Sequence, residues 1–250
     1  MAKTVLITGG SRGLGAETAK QFSKIGYNVV VNYFQHPDLA AKVVADIGAN
    51  HAIAIKADVR DRQVVDQMTQ QVVDHFGSID TVVNNALVGF KFDPVAQKSF
   101  ADLNWDDYQA QLDGTLKGAF NVTQSALPTM IKQHAGHVVS IGTNLYQNPV
   151  VAYHQYTTAK AALIGFSRNL AMDLGQYGIT VNMVSGGLLK TTDASAVTTP
   201  EVFKMIKDGT PLKKVTTPED VAKAVVFLGS DAGSGLTGQN VTVDGGLTMN

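Results

Sequence analysis

The stretch TVLITGGSRGLGAE, residues 4–17, joins a short apolar run to a glycine-rich turn and then to a helical pattern. Two interpretations of this turn compete. Gly9 to Gly13 fits G-x-S-x-G, the turn that exposes the nucleophilic serine of a hydrolase, which would here be Ser11. The longer stretch Thr8 to Gly15 fits a turn that holds dinucleotide phosphates at a helix N-terminus, where free N–H groups and the helix dipole favour an anion. A glycine turn with only a structural role is the third alternative.

The hydrolase interpretation is the weaker of these alternatives. A nucleophile turn needs an oxyanion loop from an earlier strand, and only seven residues precede Thr8. The hydrolase order of serine, acid and histidine also requires a late histidine, whereas the last histidine is His154. We therefore favour a nucleotide-phosphate cradle that Ser11 lines.

Composition limits the class of protein. The chain has 250 residues, of which 44% are hydrophobic and 16% charged, and its formal net charge is −1. This balance indicates a globular protein and gives no basic excess for nucleic acid or an anionic membrane. The absence of cysteine excludes disulfides and thiolate catalysis. The start, MAKTVLITGG, lacks a secretory signal, and no apolar run approaches the roughly 18 residues of a membrane span. We expect a cytoplasmic protein with no membrane and no nucleic-acid partner.

Strand and helix patterns alternate along the chain. Strand patterns occur at TVLIT, YNVVVNY, HAIAIKADV, IDTVVNNA, GHVVSIG, ITVNMVS and QNVTVDGG. Helical patterns cover residues 16–25, 37–47, 60–76, 105–133 and 156–177, and the stretch EDVAKAVVFLGS. This alternation predicts an α/β fold, a Rossmann-type doubly wound parallel sheet with helices on both faces, in a single domain over residues 1–250. The irregular segment 186–217 is predicted to be a mobile substrate cover.

A second motif, Tyr156-Thr-Thr-Ala-Lys160, lies at the start of a predicted helix. One alternative is a solvent-facing pair one helical turn apart. The other is chemical. A tyrosine has an ordinary pKa near 10, and a lysine one turn away, with a cationic nicotinamide nearby, favours the phenolate. Such a tyrosine can pass a proton to or from a carbonyl oxygen near neutral pH.

Together these motifs resemble the short-chain dehydrogenase/reductase family, and most closely its 3-oxoacyl-carrier-protein reductase branch, over essentially the whole chain. The resemblance is carried by Thr8-Gly-Gly-Ser-Arg-Gly-Leu-Gly15, Asp58-Val59, Asn84-Asn85-Ala86, Tyr156 to Lys160, Asn182 and TGQNVTVDGG. It implies NAD(P)-dependent hydride transfer with Tyr156 as the acid/base. Lys160 would bind the nicotinamide ribose and lower the pKa of the tyrosine.

The resemblance also implies a set of site residues. The catalytic group would be Tyr156, Lys160, Thr143 and Thr115. Cofactor contacts would come from Gly9, Ser11, Arg12, Gly13, Leu14, Gly15, Asn32, Tyr33, Asp58, Val59, Asn84, Asn85, Ala86, Tyr156, Lys160, Gly187, Leu189 and Thr191. Without the resemblance, Asp58 is also explained as a residue that caps a turn.

The chain departs from the family pattern at four places. Thr143 stands where the family usually has serine, and Thr115 stands at the family's helix asparagine. Leu87 replaces the glycine of the usual NNAG, and Gly186-Gly187 replaces Pro-Gly. The segment Leu87 to Leu103 is also a few residues longer than is common in this branch. These departures leave open an alternative function, that of a catalytically weak nucleotide-binding or regulatory protein.

The end of the second predicted strand indicates which cofactor is preferred. An NAD-specific site commonly places a carboxylate there to bind the ribose 2′-hydroxyl. This strand ends Val31-Asn32-Tyr33-Phe34, with no acid before Asp38. A neutral Asn32 does not repel a 2′-phosphate, and Arg12 can contact one. We predict a preference for NADP(H), with NAD(H) as the alternative.

The remaining predictions concern metals and partners. The pair His134 and His137 spans a helix-ending turn and predicts no metal site, since no third ligand is identified. The expected substrate is a small ketone or an acyl thioester. Four lysines of the proposed cover form either a solvated face or a docking patch for an acidic acyl carrier protein or a coenzyme A thioester: Lys204, Lys207, Lys213 and Lys214. The resemblance implies a homotetramer built on helices 105–133 and 156–177, with a dimer as the alternative.

Overall fold

The computed structural model describes residues 2–93, 95–190, 192 and 195–249. The strands are β1 (Thr4–Ile7), β2 (Asn28–Tyr33), β3 (Ala52–Lys56), β4 (Thr81–Asn84), β5 (Gly136–Thr143), β6 (Ile179–Gly186) and β7 (Asn240–Val243). The helices are α1 (Gly13–Lys24), α2 (Pro37–Ile47), α3 (Arg62–Phe76), α4 (Trp105–Leu112), α5 (Gly118–Gln133), α6 (His154–Leu174), α7 (Pro200–Gly209) and α8 (Pro218–Leu228).

The strands form one parallel sheet in the order β3-β2-β1-β4-β5-β6-β7. A parallel sheet needs a crossover between strands, and the helices supply it on both faces. The predicted Rossmann-type fold in a single domain is therefore confirmed.

Each face of the sheet has its own apolar core. On one face, Phe22 of α1 and Val225 and Leu228 of α8 pack against the strands. On the other, Met68 of α3 and Met130 of α5 do the same. Full burial of such a side chain contributes about 1.5–3 kcal/mol, so the two cores fix how the helices lie on the sheet.

The strand order reverses between β1 and β4, and this places the site. Parallel strands end at the same edge, and ligands of open α/β sheets bind outside the carboxyl ends where the order reverses. The glycine-rich turn follows β1 there, and Asn84 ends β4, with Asn85 and Ala86 directly after it. Two segments that are far apart in the sequence therefore meet at one crevice.

The structure corrects two element predictions. The helix predicted over 105–133 is interrupted by a π-helical turn, Asp113–Lys117, between α4 and α5. The segment 186–217, predicted to be irregular, contains α7. A Thr-Pro pair marks its start, because the Thr199 side chain caps the helix and Pro200 suits the first helical position.

Among the described residues, no helix combines the length and apolar character that a membrane span requires.

Substitution of Gly15 tests whether α1 packs closely on the glycine-rich turn. A Cβ added at Gly15 would overlap the Gly9 carbonyl oxygen and lie 2.7 Å from Asn85 Nδ2. We predict that Gly15→Ala lowers the free energy of unfolding by about 2 kcal/mol or more, as overpacking does, measured by urea titration. The control is Gly235→Ala, where an added Cβ meets nothing within 4 Å, and we expect it to stay within about 0.5 kcal/mol of the parent. Equal effects of the two substitutions would contradict the packing argument.

Candidate active site

The glycine-rich turn presents an uncapped helix N-terminus. Gly9 and Gly13 have φ of 62° and 53°, in the left-handed region that glycine enters at little cost. Helix α1 begins at Gly13, and Arg12, at its N-cap, supplies no side-chain cap. The first N–H groups of a helix have no acceptor within it, so they are available to an anion bound at the turn.

The end of β4 holds this turn in place. Thr8 Oγ1 accepts hydrogen bonds from the backbone N–H groups of Asn85 at 2.9 Å and Ala86 at 3.0 Å. In return, Asn85 Nδ2 donates to the carbonyl oxygens of Thr8 at 2.8 Å and Gly9 at 3.1 Å. Asn85 and Ala86 therefore act on the turn itself, and this role was not foreseen from the sequence.

Asn32 has a structural role that the sequence did not indicate. Its side chain is 2% exposed. Its Oδ1 accepts from the N–H of Gly9 at 3.2 Å, and its Nδ2 donates to the Ala57 carbonyl oxygen at 3.0 Å. A buried amide has to be hydrogen-bonded, and these bonds engage both ends of the group. Asn32 thus supports the turn from below, while Tyr33 and the exposed Phe34 follow it at the sheet edge.

Arg60 joins Asp58 to Phe34, and sequence reasoning missed it. The Arg60 guanidinium donates to Asp58 at 2.9 Å from Nε and at 2.6 Å from Nη2. These bonds hold the pKa of the Asp58 carboxyl below its usual value. The guanidinium also lies 6.0 Å from the centre of the Phe34 ring. The only signal for this contact was the spacing Asp58-Val59-Arg60, which is typical of a side chain that closes a turn. Asn121 of α5 fixes Val59 by donating to its carbonyl oxygen at 2.9 Å.

Thr143 and Tyr156 lie together at the ends of β5 and α6. Thr143 is 4% exposed and Tyr156 is 5% exposed. Thr143 Oγ1 accepts from the N–H of Leu145 at 3.3 Å, and it also forms a side-chain hydrogen bond with the Tyr156 phenol. Burial raises the pKa of Tyr156 to about 12, and the contact with Thr143 opposes that rise. In the protein alone the pKa of Tyr156 is thus raised, because desolvation outweighs the hydrogen bond with Thr143. The sequence prediction of a lowered pKa included a cationic nicotinamide nearby.

Lys160 lies one helical turn further along α6. It is buried, and its Nζ donates to the Ile141 carbonyl oxygen at 2.7 Å. Burial lowers the pKa of Lys160 to about 8. The Nζ lies 6.0 Å from the centre of the Tyr156 ring. At neutral pH the pair is therefore a protonated phenol beside an ammonium group.

Thr115, in the π-helical turn, is brought beside Lys160. The two residues line a small internal cavity of about 10 Å³ together with Thr8, Asn84 and Ala86. Within the described chain, neither Thr115 Oγ1 nor Asn84 Oδ1 has a hydrogen-bond partner, although both are buried. A buried polar atom without a partner is costly, and sites that receive a polar ligand contain such atoms.

These features fit a nicotinamide dinucleotide. The glycine-lined helix N-terminus suits its phosphates. Unpartnered polar atoms beside Lys160 suit hydroxyl or amide groups at the other end of the molecule.

The segment after β6 returns to the same crevice. The N–H of Gly187 donates to the Val243 carbonyl oxygen at 3.3 Å, and Leu189 packs on one apolar core. A Cβ added at Gly13 would lie 3.9 Å from Thr192 Cγ2, so this segment reaches the phosphate turn. Thr191, predicted to contact the cofactor, lies outside the described residues.

The two histidines of the H-x-x-H pair lie in different environments. His134 ends α5 with φ of 50°. His137 is buried in β5, where its Nδ1 is 2.9 Å from Thr180 Oγ1. Over the described ranges, no three His, Cys, Asp or Glu side chains form a group that could hold a metal ion.

Comparison with known proteins identifies the family. A family model described as enoyl-(acyl carrier protein) reductase matches residues 9–248. The 3-oxoacyl-[acyl-carrier-protein] reductase FabG of Staphylococcus aureus is 36% identical over 253 residues, covering 100% of this chain and 99% of the relative. A 3-oxoacyl-[acyl-carrier-protein] reductase of Synechocystis is 37% identical over 253 residues, covering 99% of this chain and 98% of the relative. The oxidoreductase UcpA of Salmonella typhimurium is 32% identical over 259 residues, covering 99% and 95%. The chain belongs to the short-chain dehydrogenase/reductase family and is an NAD(P)-dependent oxidoreductase acting on C=O and CH–OH groups.

Proposed function

We propose that this protein is an NADPH-dependent reductase that converts a ketone to a secondary alcohol, with 3-oxoacyl thioesters as the leading substrate class. The observation that carries the proposal is the hydrogen-bonded pair Thr143 and Tyr156, buried beside Lys160 at the sheet edge that holds the glycine turn. The acyl-thioester class is supported by the relatives in Staphylococcus aureus and Synechocystis, which are 3-oxoacyl-[acyl-carrier-protein] reductases.

Tyr156, Thr143 and Lys160 have different roles in the reduction of the carbonyl group. NADPH, held by the glycine turn and Lys160, would supply a hydride to the carbonyl carbon. Tyr156 keeps its proton at neutral pH because its pKa is raised to about 12, and it gives that proton to the carbonyl oxygen. Thr143 donates a hydrogen bond to the same oxygen and stabilises the charge that develops there. The Lys160 ammonium favours the loss of the proton from Tyr156, because a nearby positive charge stabilises the phenolate that remains.

Other residues would hold the cofactor. The first turn of α1, with Gly13, Leu14 and Gly15, would bind the pyrophosphate through backbone N–H groups. Arg12 would contact the 2′-phosphate, and Asp58 with Val59 would lie against the adenine. Lys160 would bind the nicotinamide ribose, and Asn84, which lines the same small cavity, would support that side of the cofactor.

The segment 186–217 is proposed to cover the substrate. Its helix α7 has no buried residue, which supports a loosely attached element. Two of its lysines form ion pairs, Lys204 with Asp208 and Lys214 with Asp220. This pairing reduces the positive charge available to an acidic carrier protein, so we favour a solvated face over a docking patch. A cytoplasmic location remains part of the proposal.

We propose a homotetramer, with a dimer as the alternative. Large apolar side chains are exposed on the helices expected at the interface, among them Trp105 on α4, Phe120 on α5 and Met172 on α6, which is 88% exposed. Burial of such side chains against a second copy would remove apolar surface from water. Sedimentation equilibrium should give the mass of four chains. A stable monomer at micromolar concentration would reject both assemblies.

A second candidate function is a nucleotide-binding protein with weak catalysis. It is favoured by one observation, the covering of Tyr156 by the ring of Phe90, which lies parallel to it with ring centres 4.3 Å apart. Cofactor affinity without turnover on any of a panel of carbonyl compounds would support this candidate over the reductase.

Substitution of the paired hydroxyls tests the mechanism. We predict that Thr143→Ala lowers kcat by about 10²-fold, the effect of one lost stabilising donor, while Thr143→Ser keeps most of the activity. Tyr156→Phe should reduce kcat further, because it removes the proton donor. NADPH affinity, measured by fluorescence titration, should change little in all three variants. Full activity of Thr143→Ala would remove Thr143 from the catalytic group, and full activity of Tyr156→Phe would reject the mechanism.

Cofactor preference tests the role of Arg12. We predict that the protein prefers NADPH to NADH, and that Arg12→Ala raises the Kd for NADPH by about tenfold more than the Kd for NADH, because a charge-assisted contact to the phosphate is lost. Arg62→Ala is the control, since Arg62 pairs with Asp66 on the exposed face of α3, and it should leave both constants unchanged. Equal weakening of both cofactors by Arg12→Ala would assign the phosphate contact elsewhere, and a preference for NADH in the parent would reject the assignment.

A further inference from the structure

Tyr156 belongs to a cluster of four aromatic rings, together with Phe90, Phe92 and Tyr153. Phe90 lies parallel to the Tyr156 ring, with centres 4.3 Å apart and planes inclined by 13°. Phe92 meets Tyr156 edge-on, with centres 5.3 Å apart. Both phenylalanines also contact Tyr153 edge-on, at 5.3 Å and 5.7 Å. The proposed mechanism uses neither Phe90 nor Phe92.

Phe90 occupies space beside the proposed proton donor. Parallel aromatic rings 4.3 Å apart are in van der Waals contact, so no substrate group fits between Phe90 and Tyr156. Only 5% of Tyr156 is exposed to solvent in this arrangement. A ketone that takes a proton from Tyr156 has to approach this covered side chain. Phe90 is therefore the residue that a substrate has to displace.

The segment that carries Phe90 is fixed at both ends and lightly held between them. On one side, the Val88 carbonyl oxygen accepts from Gln111 Nε2 at 3.0 Å. On the other, Lys98 Nζ donates to the Asp107 carboxylate of α4 at 2.9 Å. Between them, Gly89 has φ of 62°, and a Cβ added there would meet nothing within 4 Å. Residues 89–91 can therefore change conformation while the Phe92 ring stays packed against Tyr153 and Tyr156.

The partners of the Phe90 ring indicate what replaces it. Phe90 meets both Phe92 and Tyr153 edge-on, with ring centres 5.1 Å and 5.3 Å apart, so these two rings line the space that Phe90 leaves. A planar aromatic group restores edge-to-face contacts with them, whereas an aliphatic group of the same size fills the space without those contacts. The exchange is thus more favourable for an aromatic substituent.

We propose that Phe90 determines substrate specificity by occupying the place of the substrate, and that the site selects ketones with a planar aromatic group beside the carbonyl. The substrate displaces Phe90, and its ring packs against Phe92 and Tyr153. This inference rests on the proposed reductase function and narrows its substrate class. Among its ketone substrates, 3-oxoacyl thioesters included, those with an aryl group beside the carbonyl are expected to react better than those with a straight chain there.

The kinetic test compares phenyl methyl ketone with cyclohexyl methyl ketone, which differ in the planarity of the ring. With NADPH as the reductant, Phe90→Ala should raise kcat/KM for both ketones by about tenfold, mainly through KM, because displacement no longer opposes binding. Phe92→Ala should lower the ratio of phenyl to cyclohexyl kcat/KM by about fivefold, the size of one lost ring contact. Comparing each ratio with that of the parent cancels the intrinsic reactivity of the two ketones.

Phe100→Ala is the matched control. Phe100 belongs to the same connection between β4 and α4, is 70% exposed, and contacts His154 rather than Tyr156. It should leave both kcat/KM values unchanged. Tight NADPH binding by every variant, measured by fluorescence, verifies that each is folded.

A second measurement is independent of activity. Tetranitromethane nitrates accessible tyrosines, and tandem mass spectrometry resolves Tyr156 from Tyr153 and Tyr146. Nitration of Tyr156 should be several-fold faster in Phe90→Ala than in the parent and unchanged in Phe100→Ala. Equal nitration and equal kinetics in the two variants would overturn the role of Phe90, and an unchanged ketone ratio in Phe92→Ala would overturn the aromatic selection. If no variant reduces either ketone but the parent reduces a 3-oxoacyl thioester, the aromatic selection is overturned. If the thioester is not reduced either, while Tyr156 is exposed only in Phe90→Ala, the reductase function fails and the covering of Tyr156 by Phe90 stands.

Discussion

The hydrogen bonds between the glycine turn and the end of β4 are the constraint on which the site depends. The Thr8 hydroxyl accepts hydrogen bonds from two backbone N–H groups that follow β4. The Asn85 side chain donates two hydrogen bonds to carbonyl oxygens of the turn. Asn32 completes this support from β2 by accepting from Gly9. A glycine-rich turn is otherwise mobile, because glycine restricts the backbone little. These bonds keep the first N–H groups of α1 directed at one place, which an anion can occupy without a further cost of ordering the chain.

Burial controls the chemistry at the other end of the crevice. It raises the pKa of Tyr156 and lowers that of Lys160, since each group is removed from water. The tyrosine therefore holds a proton over the whole physiological range, which suits donation to a carbonyl oxygen. Lys160 is protonated below a pH of about 8 and loses its charge above it. Its bond to Ile141 shows that one of its three donors is already engaged in the protein alone.

The fold could be predicted from the sequence because strands and helices differ in the spacing of their apolar residues. That spacing identifies both the type of element and the side chains that face the core. The position of Tyr156 beside Thr143 followed from motifs of fixed spacing. The roles of Asn32 and Arg60 could not be predicted in this way. They depend on which way a side chain turns after a strand ends, and no periodicity encodes that direction. The same holds for Phe90 and Phe92, which lie in a connection without helix or strand and meet Tyr156 only in three dimensions. Helix α7 was missed although its Thr-Pro start was visible.

A crystal structure of the protein with NADP⁺ would test the central claim most directly. The account predicts that the pyrophosphate binds to the backbone N–H groups of Gly13 to Gly15, with the Arg12 guanidinium on the 2′-phosphate. It also predicts that Lys160 Nζ contacts a ribose hydroxyl. The turn should keep the hydrogen bonds from Asn85 and Asn32, because it is already arranged for the phosphates. A nucleotide bound away from the turn, or a turn that has to break those bonds to receive it, would contradict the account.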